Sequence, residues 1–366
     1  MRIAYANVSY KENDSRGKKA HIRQFVDNTI AIGHELWFWS GDAYQGVHKM
    51  PASRIERLWT LRQMDVIYIR VEGHPPGVCR YGLTPYKQLL GSPMVVWEFN
   101  TVPEFQRVMG SSEKYIQQAV QNFKRYSHGC DLAVCVSQSI SDYVQSKLGI
   151  KKVLTVPNGS DPDLFRPDVS PVRRLARQSM QLNVVWIGSA ELSWHNFDLM
   201  SDAARLIWER GEGSRIAFHI IGQQFGHMRE MPPNVHYYGA DNYGAIPHWL
   251  SPMDVGLCLY KPGPADYNSP LKLYDYMASG LAVVATKQPQ INKIFGQLGQ
   301  TDLIVPPDDP GMLADVLLLL EADRERTRKL GKAGRQLVID HYNWRRAVKN
   351  IFNEIEALRE ERLQTN

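Results

Sequence analysis

The sequence predicts an α/β protein made of two doubly wound, parallel-sheet domains in tandem. Three observations predict it. Short apolar strands alternate with helical patterns from the first residue, turn-forming residues interrupt that alternation at 157–167, and the alternation then restarts. In the first half, residues 3–7 read as a buried strand. Residues 21–32 read as a helix with Ile22, Phe25, Val26, Thr29 and Ile30 on one face and Gly33 at its end. Strands follow at 36–39, 66–69, 94–97, 132–136 and 153–156, with a helix started by Ser137 between the last two. The interruption reads Pro157-Asn158-Gly159-Ser160-Asp161-Pro162-Asp163-Leu164-Phe165-Arg166-Pro167 and places the boundary between a first domain, 1–165, and a second, 166–343. Strands in the second half fall at 184–187, 217–221, 235–238, 255–259, 282–285 and 303–305. A closing helix from Trp344 carries Val348, Ile351, Phe352, Ile355 and Leu358 at helical spacing, a stripe that must be buried. Open sheets of this kind bind ligands beyond the carboxyl ends of their strands, so a ligand held between the two sheets is expected.

Composition narrows the function. A chain of 366 residues, 43% hydrophobic and 22% charged, is long enough for two cores. No run of about 18 apolar residues occurs, and Met1-Arg2-Ile3-Ala4-Tyr5 leads into a strand rather than a leader, so a cytoplasmic location is expected. Cys79, Cys130, Cys135 and Cys258 show no C-x-x-C spacing, which argues for buried thiols rather than zinc or disulfides. The formal charge is +5, and the excess falls before residue 166. That mild asymmetry suits a phosphate cleft, or peripheral contact with the anionic inner face of a membrane. It does not suit nucleic acid, which calls for a dense basic stripe with interleaved aromatics.

The most informative segment is 268–286. Ser269 is placed as an N-cap, Pro270 at the first helical position and Gly280 as the left-handed stop. First-turn N–H groups together with Lys272 would present positive charge to an anion. Asp275, three residues on, shares the face of Lys272, and a phosphate followed by a ribose would suit the pair. The structural alternative is a solvated Lys272–Asp275 ion pair contributing about 0.2–0.5 kcal/mol. No G-x-G-x-x-G follows either opening strand. The second domain's first turn reads Gly188-Ser189-Ala190, which disfavours a nicotinamide or flavin enzyme.

With the linker motif at 156–167, the element at 269–286 and Tyr342-Asn343-Trp344 before the closing helix, the chain resembles glycosyltransferase family 4 nearly end to end. The resemblance implies the GT-B fold, two Rossmann-like domains facing across a cleft, with the helix at 344–366 packing back on the first. It implies transfer of a sugar from a nucleoside-diphosphate sugar to a saccharide, lipid-linked or other glycan acceptor, with retention and with no cofactor or metal. Asp275 stands where the family has the second Glu of its E-x7-E pair, which holds the ribose. The first falls at Tyr267, with Asp266 and Asn268 beside it. Ser189 and His195 stand where the family has its phosphate-binding Arg and Lys, leaving Lys272 and the Arg16 to Lys19 loop, with Gly17 and Lys18, to meet the diphosphate. Asn100 stands where many relatives place a histidine near the donor sugar. Glu98 beside it lines the cleft or, alternatively, serves the strand end. Asp161-Pro162-Asp163 imitates a metal-binding D-x-D, but its place in the linker points to turn formation. Departures at Tyr267, Ser189 and His195 keep two alternatives open, an epimerase of the same fold and a catalytically silent sugar-nucleotide-binding partner.

Overall fold

The structure is a computed structural model that describes residues 1–10, 17–172, 181–189, 192–223 and 231–365. The chain divides into two units. Unit 1 comprises Met1–Asn158, Tyr267–Ser269 and Trp344–Asn366; unit 2 comprises Gly159–Asp266 and Pro270–Asn343. The chain passes from one to the other between Asn158 and Gly159, inside the turn-rich segment.

Unit 1 is built on seven strands, β1 (Arg2–Tyr10), β2 (Glu35–Gly41), β3 (Val47–Lys49), β4 (Val66–Val71), β5 (Met94–Phe99), β6 (Leu132–Cys135) and β7 (Val153–Thr155). They lie in the order β3-β2-β1-β4-β5-β6-β7, every pair parallel. β4 and β5 are buried at every position, as central strands covered on both faces should be. The helices of this unit are α1 (Gly17–Ala31), α2 (Arg54–Leu61), α3 (Thr84–Leu89), α4 (Glu113–Tyr126) and α5 (Gln138–Leu148). Ser137 caps α5 as its sequence suggests, its hydroxyl accepting from the Ile140 N–H at 3.2 Å.

Unit 2 carries six parallel strands, β8 (Leu182–Ile187), β9 (Ile216–Ile221), β10 (Val235–Tyr237), β11 (Val255–Cys258), β12 (Ala282–Thr286) and β13 (Ile304–Val305), in the order β10-β9-β8-β11-β12-β13. Around them lie α6 (Phe197–Glu209), α7 (Ile246–Leu250), α8 (Leu271–Ala278), α9 (Pro289–Leu298), α10 (Pro310–Ala322) and α11 (Arg324–Asp340). The last helix, α12 (Trp344–Thr365), belongs to unit 1. There it buries Val348, Phe352 and Ile355; Phe352 meets Phe25 at 6.1 Å between ring centres, and Arg359 pairs with Asp65 at 2.6 Å.

Three features depart from the sequence expectation. β3 is an edge strand of three residues, too short for an alternation to show. β1 runs on to Tyr10 through a register shift, with Asn7 at φ 60°. Gly17 is the first residue of α1 rather than a loop glycine. In both sheets the strand order reverses beside the first strand, between β1 and β4 in unit 1 and between β8 and β11 in unit 2, and ligands bind outside the carboxyl ends at such a point.

Candidate functional site

In unit 2 the reversal point gathers a cation among aromatic rings. Trp186 lies near the carboxyl end of β8, Tyr260 two residues beyond β11, and Lys272 in the first turn of α8. The Lys272 ammonium sits 4.9 Å from the Trp186 ring centre and 5.1 Å from that of Tyr260. Lys272 is half-buried as a residue, yet its Nζ is buried and has no hydrogen-bond partner among the described residues. Burial pulls its pKa down to about 8. A Cβ added at Gly188 would lie 3.0 Å from this Nζ and 3.2 Å from the His195 ring, so glycine leaves the amine open to the turn after β8.

His195 is not a second cation. Its Nδ1 lies 2.7 Å from the carbonyl of Ser189, which can only accept, so Nδ1 carries the proton and Nε2 keeps a lone pair. Burial, followed by the nearby Lys272 charge, pushes its pKa to about 3. At the two positions where the family has its phosphate-binding Arg and Lys, the structure places a backbone carbonyl, that of Ser189, and the buried neutral imidazole it holds, rather than a solvated loop histidine.

Two expectations for the segment at 268–286 are also corrected. The N-cap of α8 is Pro270, in extended conformation, whose own side chain makes no cap hydrogen bond. Ser269 is engaged elsewhere: within unit 1 its Oγ accepts from the Asn158 N–H at 3.0 Å and its carbonyl from Asn158 Nδ2 at 2.7 Å. Tyr267 joins it there, its carbonyl accepting from Ser137 Oγ at 2.8 Å, while Asn268 between them is half-buried. Gly280 does end α8, at φ 78°.

Asp275 is not an exposed partner of Lys272. It is 5% exposed, and its Oδ1 accepts from the Ser160 hydroxyl at 2.6 Å, with the Tyr243 hydroxyl at 3.5 Å. Burial raises its pKa to about 7, the two hydroxyls oppose that rise, and the charge of Asp161 adds to it. Arg335 fixes the same linker, donating to the carbonyls of Phe165 at 2.8 Å, Pro162 at 3.2 Å and Ala278. Asp161 itself accepts from the N–H groups of Asp163 and Leu164, which makes Asp161-Pro162-Asp163 a turn, as its position suggests.

In unit 1 the reversal point holds a paired anion. Glu98, 2% exposed, accepts from Arg70 Nη1 at 2.9 Å, His21 Nε2 at 2.7 Å, the Tyr5 hydroxyl at 3.2 Å and the Asn100 amide. Burial pushes its pKa up, but Arg70 and His21 outweigh burial and hold it at about 2. His21 Nδ1 lies 3.1 Å from Asn158 Oδ1, so both ring nitrogens face acceptors, and a chain of bonds runs from Glu98 through His21 and Asn158 to Ser269. A carboxylate so occupied is a structural anchor rather than a free base, and Asn100 is one of its donors. Gly17 lies in the opening turn of α1; Lys18 follows it there, but its side chain and the whole of Arg16 lie outside the described residues. Sequence reasoning missed Ser160, Tyr243, Arg70, His21, Trp186, Tyr260 and Arg335. The available signal was one charged residue in each of two neighbouring apolar runs, Arg70 in β4 and Glu98 in β5, which are register partners.

Residues 181–323, which include Trp186, Lys272 and Asp275, match the family model described as Glycosyl transferases group 1. The chain is 28% identical over 211 residues to TuaH of Bacillus subtilis (strain 168), whose name places it in teichuronic acid biosynthesis as a glycosyltransferase. That match takes in 53% of this chain and 48% of TuaH, so the chain spans about half the length of this relative. Among solved structures it is similar to a sucrose-phosphate synthase from Thermosynechococcus elongatus, with TM-score 0.68 and 15% identity over 98% of this chain and 99% of that one. It is equally similar to Anabaena Alr3699/HepE in complex with UDP-glucose, with TM-score 0.68 and 14% identity over 98% and 100% of the two chains. The chain therefore has the GT-B fold, two Rossmann-like parallel-sheet units, and its similarities support a GT-B glycosyltransferase.

Proposed function

We propose that this protein transfers a hexosyl group from a nucleoside-diphosphate sugar to an acceptor hydroxyl on a saccharide or lipid-linked glycan, with retention and without a metal or other cofactor. The observation that carries the reading is Lys272. A buried ammonium with no hydrogen-bond partner among the described residues, in the first turn of a helix and beside an open glycine turn, suits a diphosphate. In the reaction the sugar–phosphate bond weakens, negative charge grows on the departing diphosphate and positive charge on the sugar ring. Lys272 and the N–H groups of α8 would neutralise the first without reorganising. His195 Nε2, an acceptor, suits a sugar hydroxyl better than a phosphate. The carboxylate of Asp275 suits the ribose diol, whose hydroxyls would supply the donors that burial denies it. With Glu98 occupied by four donors, the acceptor's proton passes to an oxygen of the departing phosphate.

Calorimetric titration of nucleoside diphosphates tests the reading. One nucleotide should bind the wild-type chain, and Lys272→Met should weaken it by roughly 10- to 150-fold, the loss of one charge-assisted hydrogen bond. Failure of every nucleoside diphosphate and nucleoside-diphosphate sugar to bind would overturn it.

A further inference from the structure

α2 wears its apolar stripe on the outside. Ile55, Leu58, Trp59 and Arg62 recur at the spacing of one helical face, and that face points away from the sheet: Ile55 is 70% exposed and Trp59 63%. Of the helix's own residues only Leu61 is buried. Leu89 of α3, 54% exposed, and Leu90 complete a shallow apolar groove with these side chains. An ordinary surface helix turns such a stripe into the core. Here the inner face is left to Leu61 and to Arg57, whose guanidinium lies over the Trp39 ring at 5.3 Å.

The surroundings of the stripe are cationic. Lys49, Arg54 and Arg62 are exposed and Arg57 half-buried, and none of the four has an ion-pair partner among the described residues; Glu56 is the one carboxylate of the helix. The Arg62 guanidinium sits 5.6 Å from the Trp59 ring centre, an amphipathic pair of the kind that anchors at a lipid interface. A second copy docking by the same face would set these cations against one another. A lipid surface with acidic headgroups offers both an apolar layer for the stripe and counter-charges for its rim.

We propose that the outer face of α2, with Leu89, docks the protein onto an anionic bilayer surface, Ile55 and Trp59 inserting at the headgroup boundary and Arg54 and Arg62 meeting lipid phosphates. The proposal does not rest on the transfer reaction, and its test involves no nucleotide. Co-sedimentation of the full chain with phosphatidylcholine vesicles, with and without phosphatidylglycerol, measures it. Binding should require phosphatidylglycerol and weaken as salt rises from on the order of 0.1 M towards 1 M. Arg54→Gln with Arg62→Gln should lower affinity about 25-fold, at roughly fivefold per basic residue. Ile55→Ser with Trp59→Ser should lower it at least about tenfold, with the near-UV circular dichroism of the buried aromatics retained. No binding to phosphatidylglycerol vesicles, binding unmoved by either double variant, or a self-associated dimer dissolved by Ile55→Ser with Trp59→Ser in place of vesicle binding would each overturn the proposal.

Discussion

Replacing Asp275 with Asn should stabilise the protein in a pH-dependent way while impairing the binding of its nucleotide. In the folded chain the carboxyl is buried with hydroxyls for neighbours, and burial raises its pKa from 3.8 to about 7. The unfolded chain restores the ordinary value. Between those two pH values the folded state keeps a proton that the unfolded state has released. The stabilisation from the protonated acid is therefore complete below about pH 4 and fades as pH rises, until it is lost above about 7. Three pH units at about 1.4 kcal/mol each set the loss at about 4 kcal/mol, an upper figure for a site that relaxes on ionising. Asn keeps an oxygen for Ser160 and never ionises. Urea unfolding should show Asp275→Asn about as stable as wild type near pH 4 and more stable by up to about 4 kcal/mol at pH 8. Nucleotide affinity at pH 8 should meanwhile fall by roughly 10- to 150-fold for each charged hydrogen bond to the ribose that is lost. A stability difference that is the same at pH 4 and pH 8 would refute the argument from burial, and unchanged affinity in a folded variant would refute the ribose assignment.

Proton linkage should separate the two charges of unit 2: an anion at Lys272 favours the ammonium, so binding near pH 9 should take up protons, whereas ribose donors at Asp275 favour the carboxylate, so binding near pH 6 should release them. Titration calorimetry in buffers of different ionisation enthalpy reads both signs. Arg70→Met leaves Glu98 buried beside one fewer cation and should destabilise by about 3–5 kcal/mol in urea unfolding, whereas Arg70→Met with Glu98→Gln should cost less than the sum of the single variants. Sugar transfer should survive EDTA, since the neutralising charge proposed here comes from Lys272 and α8; activity lost to EDTA and restored by magnesium or manganese would reject that arrangement. Deleting the chain from Trp344 onward uncovers Phe25 and removes the Arg359–Asp65 pair, so thermal unfolding should show unit 1 markedly less stable, and an equally heat-stable truncation would contradict the packing described for α12.

The strand pattern was legible because central parallel strands are continuous apolar runs, and those at 66–69, 94–97 and 184–187 lie within β4, β5 and β8. Details of the site were less legible, for reasons that are long-range. Ser269 has the composition of an N-cap, but Asn158, 111 residues away, takes its hydroxyl and carbonyl, and Pro270 becomes the cap. Lys272 and Asp275 have the spacing of an ion pair. Yet α8 buries Leu273, Tyr274, Tyr276 and Met277, so packing sends one charge to Trp186 and Tyr260 and the other to Ser160 and Tyr243.

The two reversal points differ in how their charges are met. In unit 1 the buried anion, Glu98, has a cation, an imidazole, a phenol and an amide around it. In unit 2 the helix α8 carries an ammonium with no hydrogen-bond partner among the described residues and, one turn later, an acid whose pKa burial raises to about 7. Each costs stability in the free protein, and packing the first against rings and the second against hydroxyls removes only part of that cost. A diphosphate would answer the ammonium, and a ribose diol would give the acid the donors that let it ionise. One nucleotide carries both groups in the order in which α8 presents their partners. The unpaired charges of unit 2, more than any resemblance in its sequence, are the physical argument for placing the donor there.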